Sequence, residues 1–189
     1  MPVFLDIWTF GRLEQKNTVM YNKNIFYYIK SIDMITTRIE IKLHLREYVI
    51  GKFCGCHDSP VKFPDKLDVY HTIWNLTEKR PVNCPPDSGN LEIVLPDRRE
   101  GKSPETFNYL GCRSHKIIER KIENLFLAEL HDMLTEEKHR YGIAYIDTIY
   151  NFMKKYNIVS ISEETIWKDY YRWKINVRRR KKRGYEKQD

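Results

Sequence analysis

From Arg38 to Leu45 apolar and polar side chains alternate, with Ile39, Ile41, Leu43 and Leu45 on one side and Arg38, Glu40, Lys42 and His44 on the other. A period of two is what a strand with one buried face requires, so this segment is predicted to be a β-strand. A short helix over "REYVIGKF" and a turn at Gly51 and Gly55 are expected to follow it. "VKFP" is a candidate short strand stopped by Pro64, and "DKLDVYHTIWNLTEK" puts Leu67, Tyr70, Ile73 and Trp74 on one helical stripe behind an Asp65 cap. Three prolines and a glycine make "RPVNCPPDSGN" a loop, after which "LEIVLP" turns Leu91, Ile93 and Leu95 inward as a second strand. Beyond a further loop, "DRREGKSPETFNYLG", the apolar period changes to 3.6. Ile118, Ile122, Leu125, Phe126, Leu130 and Met133 then line a helix of about six turns that begins near Ser114.

After Gly142, Ile143, Ile146, Ile149, Tyr150 and Met153 recur at helical spacing. The next helix starts where Ser160 precedes Glu163 by the spacing of a capping box, with Ser162 as a second candidate cap. At 100° per residue, Ile166, Tyr170, Trp173 and Val177 fall in one sector and are expected to be buried. Glu164, Lys168, Tyr171, Arg172, Ile175 and Arg179 lie opposite, and Trp167 and Lys174 stand at the border. These elements predict an α+β protein. A small strand-containing portion, residues 34–113, packs on a C-terminal helical, helix-turn-helix-like unit, residues 114–183, and residues 184–189 form a flexible tail. Residues 1–33 show neither period and are expected to be a variable or loosely packed extension, with Met34 as an alternative start to Met1.

Composition changes this picture in one respect, the placement of charge. The chain of 189 residues carries a formal charge of +7, and from Lys168 to Asp189 ten Lys and Arg stand against three Asp and Glu. The remainder holds 23 residues of each sign, so the whole excess sits at the C-terminal end. Such a local field concentrates polyanions without making the entire surface adhesive. No stretch reaches the ~20 apolar residues of a membrane span, and the first thirty residues lack a signal-peptide pattern. Four cysteines do not make a disulfide scaffold in a chain of this length, and a cytoplasmic protein with reduced thiols is expected.

The polar face of the last predicted helix mixes Tyr and Ile with its bases. Arg and Lys suit phosphates and guanines, while an apolar group suits a thymine methyl. Lys168, Tyr171, Arg172 and Ile175 are therefore the candidates for groove contact, and Arg178, Arg179, Arg180, Lys181, Lys182 and Arg183 for phosphate. If the helix continues through the basic run that run is a cationic rod, and if it frays it is a flexible arm. The competing reading makes the run a solubilising tail on a protein-interaction or assembly module. A basic amphipathic helix is also compatible with a calmodulin-like partner or a membrane surface.

The segment "YIDTIYNFMKKYNIVSISEETIWKDYYRWK" resembles the helix-turn-helix segments of regulators and transposase-type proteins, although it lacks a glycine between Asn157 and Ser160. That resemblance implies DNA as partner, with RNA as an alternative, and a homodimer reading two half-sites. More loosely, "RIEIKLHLREYVIGKF" joined to such a C-terminus resembles uncharacterised proteins of prophages and mobile elements in Bacteroidales. This implies a regulatory or accessory role on a mobile element and carries over no catalytic residue.

Other chemistry finds less support. Cys54, Cys56, Cys112 and His115 are zinc-ligand types, and "CRSH" has useful spacing, but Cys-x-Cys is a tighter bite than the usual Cys-x2-Cys. No metal or cofactor is expected. P-loop, dinucleotide, His-Glu-x-x-His and nucleophile-elbow patterns are absent from the sequence, so a non-enzymatic protein is favoured.

Overall fold

The computed structural model describes residues 34–54, 60–98 and 100–185, the last five by their backbone alone. The extension expected over residues 1–33 lies outside the described residues. In chain order the elements are β1 (Thr36–Ile39), α1 (Leu43–Phe53), α2 (Asp68–Leu76), β2 (Leu91–Val94), α3 (Cys112–Glu136), α4 (Tyr145–Tyr156) and α5 (Glu163–Tyr185). A π-helical turn, Glu137–Tyr141, follows α3. The protein is α+β, with one antiparallel strand pair early in the described chain and helices thereafter.

The alternation from Arg38 to Leu45 spans a junction between two elements rather than one strand. β1 ends at Ile39 and α1 begins at Leu43. Ile39, Ile41 and Leu45 are buried, but Leu43 is 58% exposed. Ile41 and Leu45 are also four residues apart, and Tyr48 and Val49 continue that helical spacing, so the same residues satisfy both periods. Where the strand stops, the Asn90 amide replaces the ladder: its Oδ1 accepts from Ile41 N at 3.2 Å and its Nδ2 donates to Ile41 O at 2.6 Å.

β1 pairs with β2 from Thr36 opposite Val94 to Ile39 opposite Leu91. Leu91, Ile93 and Leu95 are buried, as the sequence pattern requires. The "VKFP" segment supplies a single parallel bridge from Val61 to Ile93 instead of a strand, and Val61 and Phe63 both enter the core. On α2, Asp65 is not the cap. The helix starts at Asp68 behind Leu67, which offers no side-chain hydrogen bond, and Val69, Tyr70 and Ile73 are its buried residues.

Along α3 the buried positions are Ser114, Ile118, Ile122, Phe126, Leu130 and Leu134, one ridge in steps of four, with Leu134 in the place expected for Met133. Against this ridge pack α1 and α4. Tyr48 meets Phe126 at 5.3 Å between ring centroids and Tyr156 at 5.0 Å, and Phe126 meets Phe152 at 5.5 Å, all edge to face. Edge-to-face contacts place the positive rim of one ring on the negative face of the next. On α4 the buried set is Thr148, Ile149, Phe152 and Tyr156, while Ile146 and Tyr150 are about half exposed. Thr148 faces inward beside Ile149, Phe152 and Tyr156, and its hydroxyl donates to Glu137 Oε2 at 2.6 Å.

Gly51 lies inside α1 rather than in a turn. A Cβ there would stand 2.5 Å from Tyr156 O and 2.9 Å from Tyr156 Cα, so the missing side chain allows α1 and α4 to cross closely. Beside this crossing, Glu129 of α3 accepts hydrogen bonds from Tyr48 Oη at 2.7 Å and from Tyr156 Oη, and it pairs with Lys52. Lys155 Nζ approaches its other oxygen at 3.4 Å. Burial alone would raise the Glu129 pKa, but the bonds from Lys52, Tyr156 and Tyr48 outweigh it and hold the carboxyl at about 2. One carboxylate thus fastens three helices. Among the described residues no helix is long and apolar enough to cross a membrane.

Candidate nucleic-acid interface

The connection from α4 to α5 is built without glycine. Asn157 adopts the left-handed conformation, φ 53°, at the end of α4. Ile158 N then donates to Met153 O at 2.9 Å and Asn157 N to Lys154 O at 3.3 Å, closing the helix as a C-terminal glycine would. Asn tolerates this region better than other non-glycine residues, which is why the turn survives the substitution.

The following residues are held by α1. Glu47 Oε2 accepts from Val159 N at 2.9 Å, Ser160 N at 3.1 Å and Ser160 Oγ at 2.8 Å. Ser160 is thereby withdrawn from the capping box expected with Glu163. Ser162 is the cap: its Oγ accepts from Thr165 N at 3.3 Å, and its carbonyl accepts from Ile166 N at 3.2 Å.

Ile166 and Tyr170 are buried and seat the first half of α5. Two other residues expected in that sector are not enclosed. Val177 is half-buried, and Trp173 is 43% exposed with its ring 4.0 Å from that of His131. The helix runs on to Tyr185, well past its last buried residue, so its apolar sector loses its cover before the sequence pattern ends. Burial lowers the His131 pKa below its ordinary value, against a smaller opposing effect of Asp132.

Of the candidate contact residues, Lys168, Tyr171, Arg172, Arg178, Arg179 and Arg180 are exposed and Ile175 is half-buried. Lys181, Lys182 and Arg183 lie on continuous helical backbone, so the basic run is a rod and not an arm. Lys168 pairs with Glu164 at 2.8 Å and Arg172 with Asp169 at 3.1 Å, both within α5 and both exposed. Exposed pairs of this kind contribute about 0.2–1 kcal/mol and exchange readily for a phosphate. Arg178, Arg179 and Arg180 make no ion pair among the described residues.

Tyr171 belongs to an aromatic strip that Tyr145, which the sequence pattern does not single out, completes from α4. The rings of Tyr145 and Trp167 lie 5.4 Å apart and inclined by 31°, and those of Trp167 and Tyr171 lie 6.1 Å apart and inclined by 36°. Lys174 Nζ donates to Tyr145 Oη at 2.9 Å and sits 4.8 Å from the ring centroid, with Lys138 at 5.7 Å. The hydrogen bond from Lys174 lowers the Tyr145 pKa despite partial burial. The spacing of Trp167, Tyr171, Lys174 and Arg178 signals one flank of a helix, but the arrival of Tyr145 from α4 is a tertiary event that sequence spacing does not carry.

Among the described residues, the zinc candidates Cys54, Cys112 and His115 belong to no group that could hold a metal ion. Cys54 follows α1 and its thiol donates to Pro60 O at 3.8 Å, Cys112 is exposed at the start of α3, and Cys56 lies outside the described residues. Among the described residues no group of three or more His, Cys, Asp or Glu is arranged to hold a metal ion. Comparison of the chain with protein-family models, with curated proteins and with solved structures finds no match.

Proposed function

We propose that this protein binds DNA through α5, in a regulatory or accessory role. The observation that supports this reading is the contrast between the two halves of that helix. Ile166 and Tyr170 anchor the first half in the core, while Arg178, Arg179 and Arg180 stand exposed and without acidic partners among the described residues. The excess charge of an otherwise balanced chain is thus carried on the uncovered half of a helix whose first half is anchored in the core. Such clustered cations bind a phosphate backbone by releasing condensed counterions.

The test is fluorescence anisotropy of labelled DNA with the full chain and with a version ending at Val177, each at two salt concentrations. The full chain is expected to bind with log K falling by about 0.7–0.9 per phosphate contact for each decade of salt. The shortened chain is expected to bind more weakly and with a shallower slope. Equal and negligible affinity for both would refute DNA binding and favour an assembly module with a solubilising tail.

A further inference from the structure

We propose that the strip formed by Tyr145, Trp167 and Tyr171, edged by Lys138, Lys174 and Arg178, is a stacking site for single-stranded DNA. This deepens the DNA-binding reading and rests on it.

Three features of the strip support a single strand as occupant. First, the strip reaches solvent: Tyr171 is 54% exposed, while Tyr145 and Trp167 are half-buried, with Lys174 and Lys138 already over the Tyr145 ring. Aromatic side chains seeking only burial would turn into the core, as Tyr48 and Phe152 do. Second, the three rings follow one another in steps of 5.4 and 6.1 Å at inclinations of 31° and 36°, a staggered series of faces along one flank. An unpaired base has a free π-face to lay on such a ring, whereas a base pair inside a duplex shows only its edges. Third, the cations border the rings. Lys138 and Lys174 lie at Tyr145, and Arg178 is one turn beyond Lys174 on the same flank. Phosphates of a strand stacked on the rings would meet these charges, and the rod beyond Arg178 prolongs them. Glu163 and Glu164 stand one turn before Trp167 and oppose phosphate at that end, so the strand extends toward Arg178.

The strip's side chains are donors and π-faces, and the phenol oxygen of Tyr145 already accepts from Lys174. A 2′-hydroxyl both donates and accepts, so these groups suit either sugar, and the choice of DNA follows from the DNA-binding reading.

The experiment measures anisotropy of four labelled probes with the full chain: oligo(dT) of about twenty nucleotides, a duplex of equal length, oligo(rU), and an abasic strand that keeps the phosphates. Oligo(dT) is expected to bind tightest of the four. Tyr171→Ala, at an exposed position, is expected to weaken oligo(dT) binding about five- to a hundredfold, the range of one lost stacking contact. The loss on duplex should be smaller than the loss on oligo(dT), and Trp167→Leu, checked for intact circular dichroism, should repeat the pattern. Duplex or abasic strand bound as tightly as oligo(dT), with Tyr171→Ala neutral, would overturn the stacking site while leaving DNA binding standing. Tighter binding of oligo(rU) would overturn the choice of DNA. Failure of all four probes would remove both this inference and the reading on which it rests.

Discussion

Replacing Glu129 by Gln removes a negative charge on which three helices converge and leaves nearly the same shape. The ordinary carboxyl value of 4.5 and the folded value of about 2 differ by an amount equivalent to about 3 kcal/mol, at about 1.4 kcal/mol per pH unit. The mutational expectation agrees, because breaking a part-buried ion pair leaves Lys52 without its counter-charge, and lost bonds to a charged acceptor contribute about 1.5–3 kcal/mol. A loss of about 2–4 kcal/mol is expected at pH 7, or about 6–12 °C in Tm for a chain of this size. Because the folded pKa is depressed, the stabilisation is complete above about pH 4.5 and disappears as pH falls through about 2. At pH 3 about 1.4 kcal/mol of it should remain, since the unfolded chain is then protonated at this position and the folded one mostly is not. Urea denaturation followed by circular dichroism at pH 7 and pH 3 measures both quantities. The wild-type advantage over Glu129→Gln should shrink by more than half between them. An advantage below about 0.5 kcal/mol at pH 7, or one that does not change with pH, would refute the account of Glu129 as a charged hub.

Two further substitutions test the framework around α5. Gly51→Ala gains helix propensity of about 1 kcal/mol but forces a methyl against the Tyr156 backbone, so a net loss of about 1–2 kcal/mol in urea denaturation is expected, and net stabilisation would contradict the close crossing. Glu47→Ala removes the acceptor of Val159 N, Ser160 N and Ser160 Oγ at an exposed turn. It should lower stability by about 1–2 kcal/mol and speed amide exchange at Val159 and Ser160, whereas unchanged exchange would mean that the turn holds itself.

The parts of this fold that were legible in the sequence are those in which local period and burial coincide. β2 and the residue after it show Leu91, Ile93 and Leu95 inward, and α3 shows its ridge from Ile118 to Leu130, because each buries one face along its whole length. Reading failed where two periods shared residues, as at Ile41 and Leu45, and where a polar residue turned inward, as Thr148 does on α4. Trp173 was misplaced because a helical wheel assumes that cover continues as far as the helix, and α5 outruns its neighbours. At the interface, the exposed cations followed from charge alone. The grip of Glu47 on a turn 112 residues away and the stacking of Tyr145 on Trp167 did not, since each joins distant segments and neither has a local pattern.

The clasp between Glu47 and the turn before α5 has a consequence for anyone wishing to transplant the basic helix. Cut out with α4 alone, the pair would keep its Asn157 closure and its Ser162 cap but lose the carboxylate that ties the turn between them to α1. The root of the cationic rod is therefore moored to the opposite end of the described chain, and a graft that omits α1 would carry the charge without that mooring.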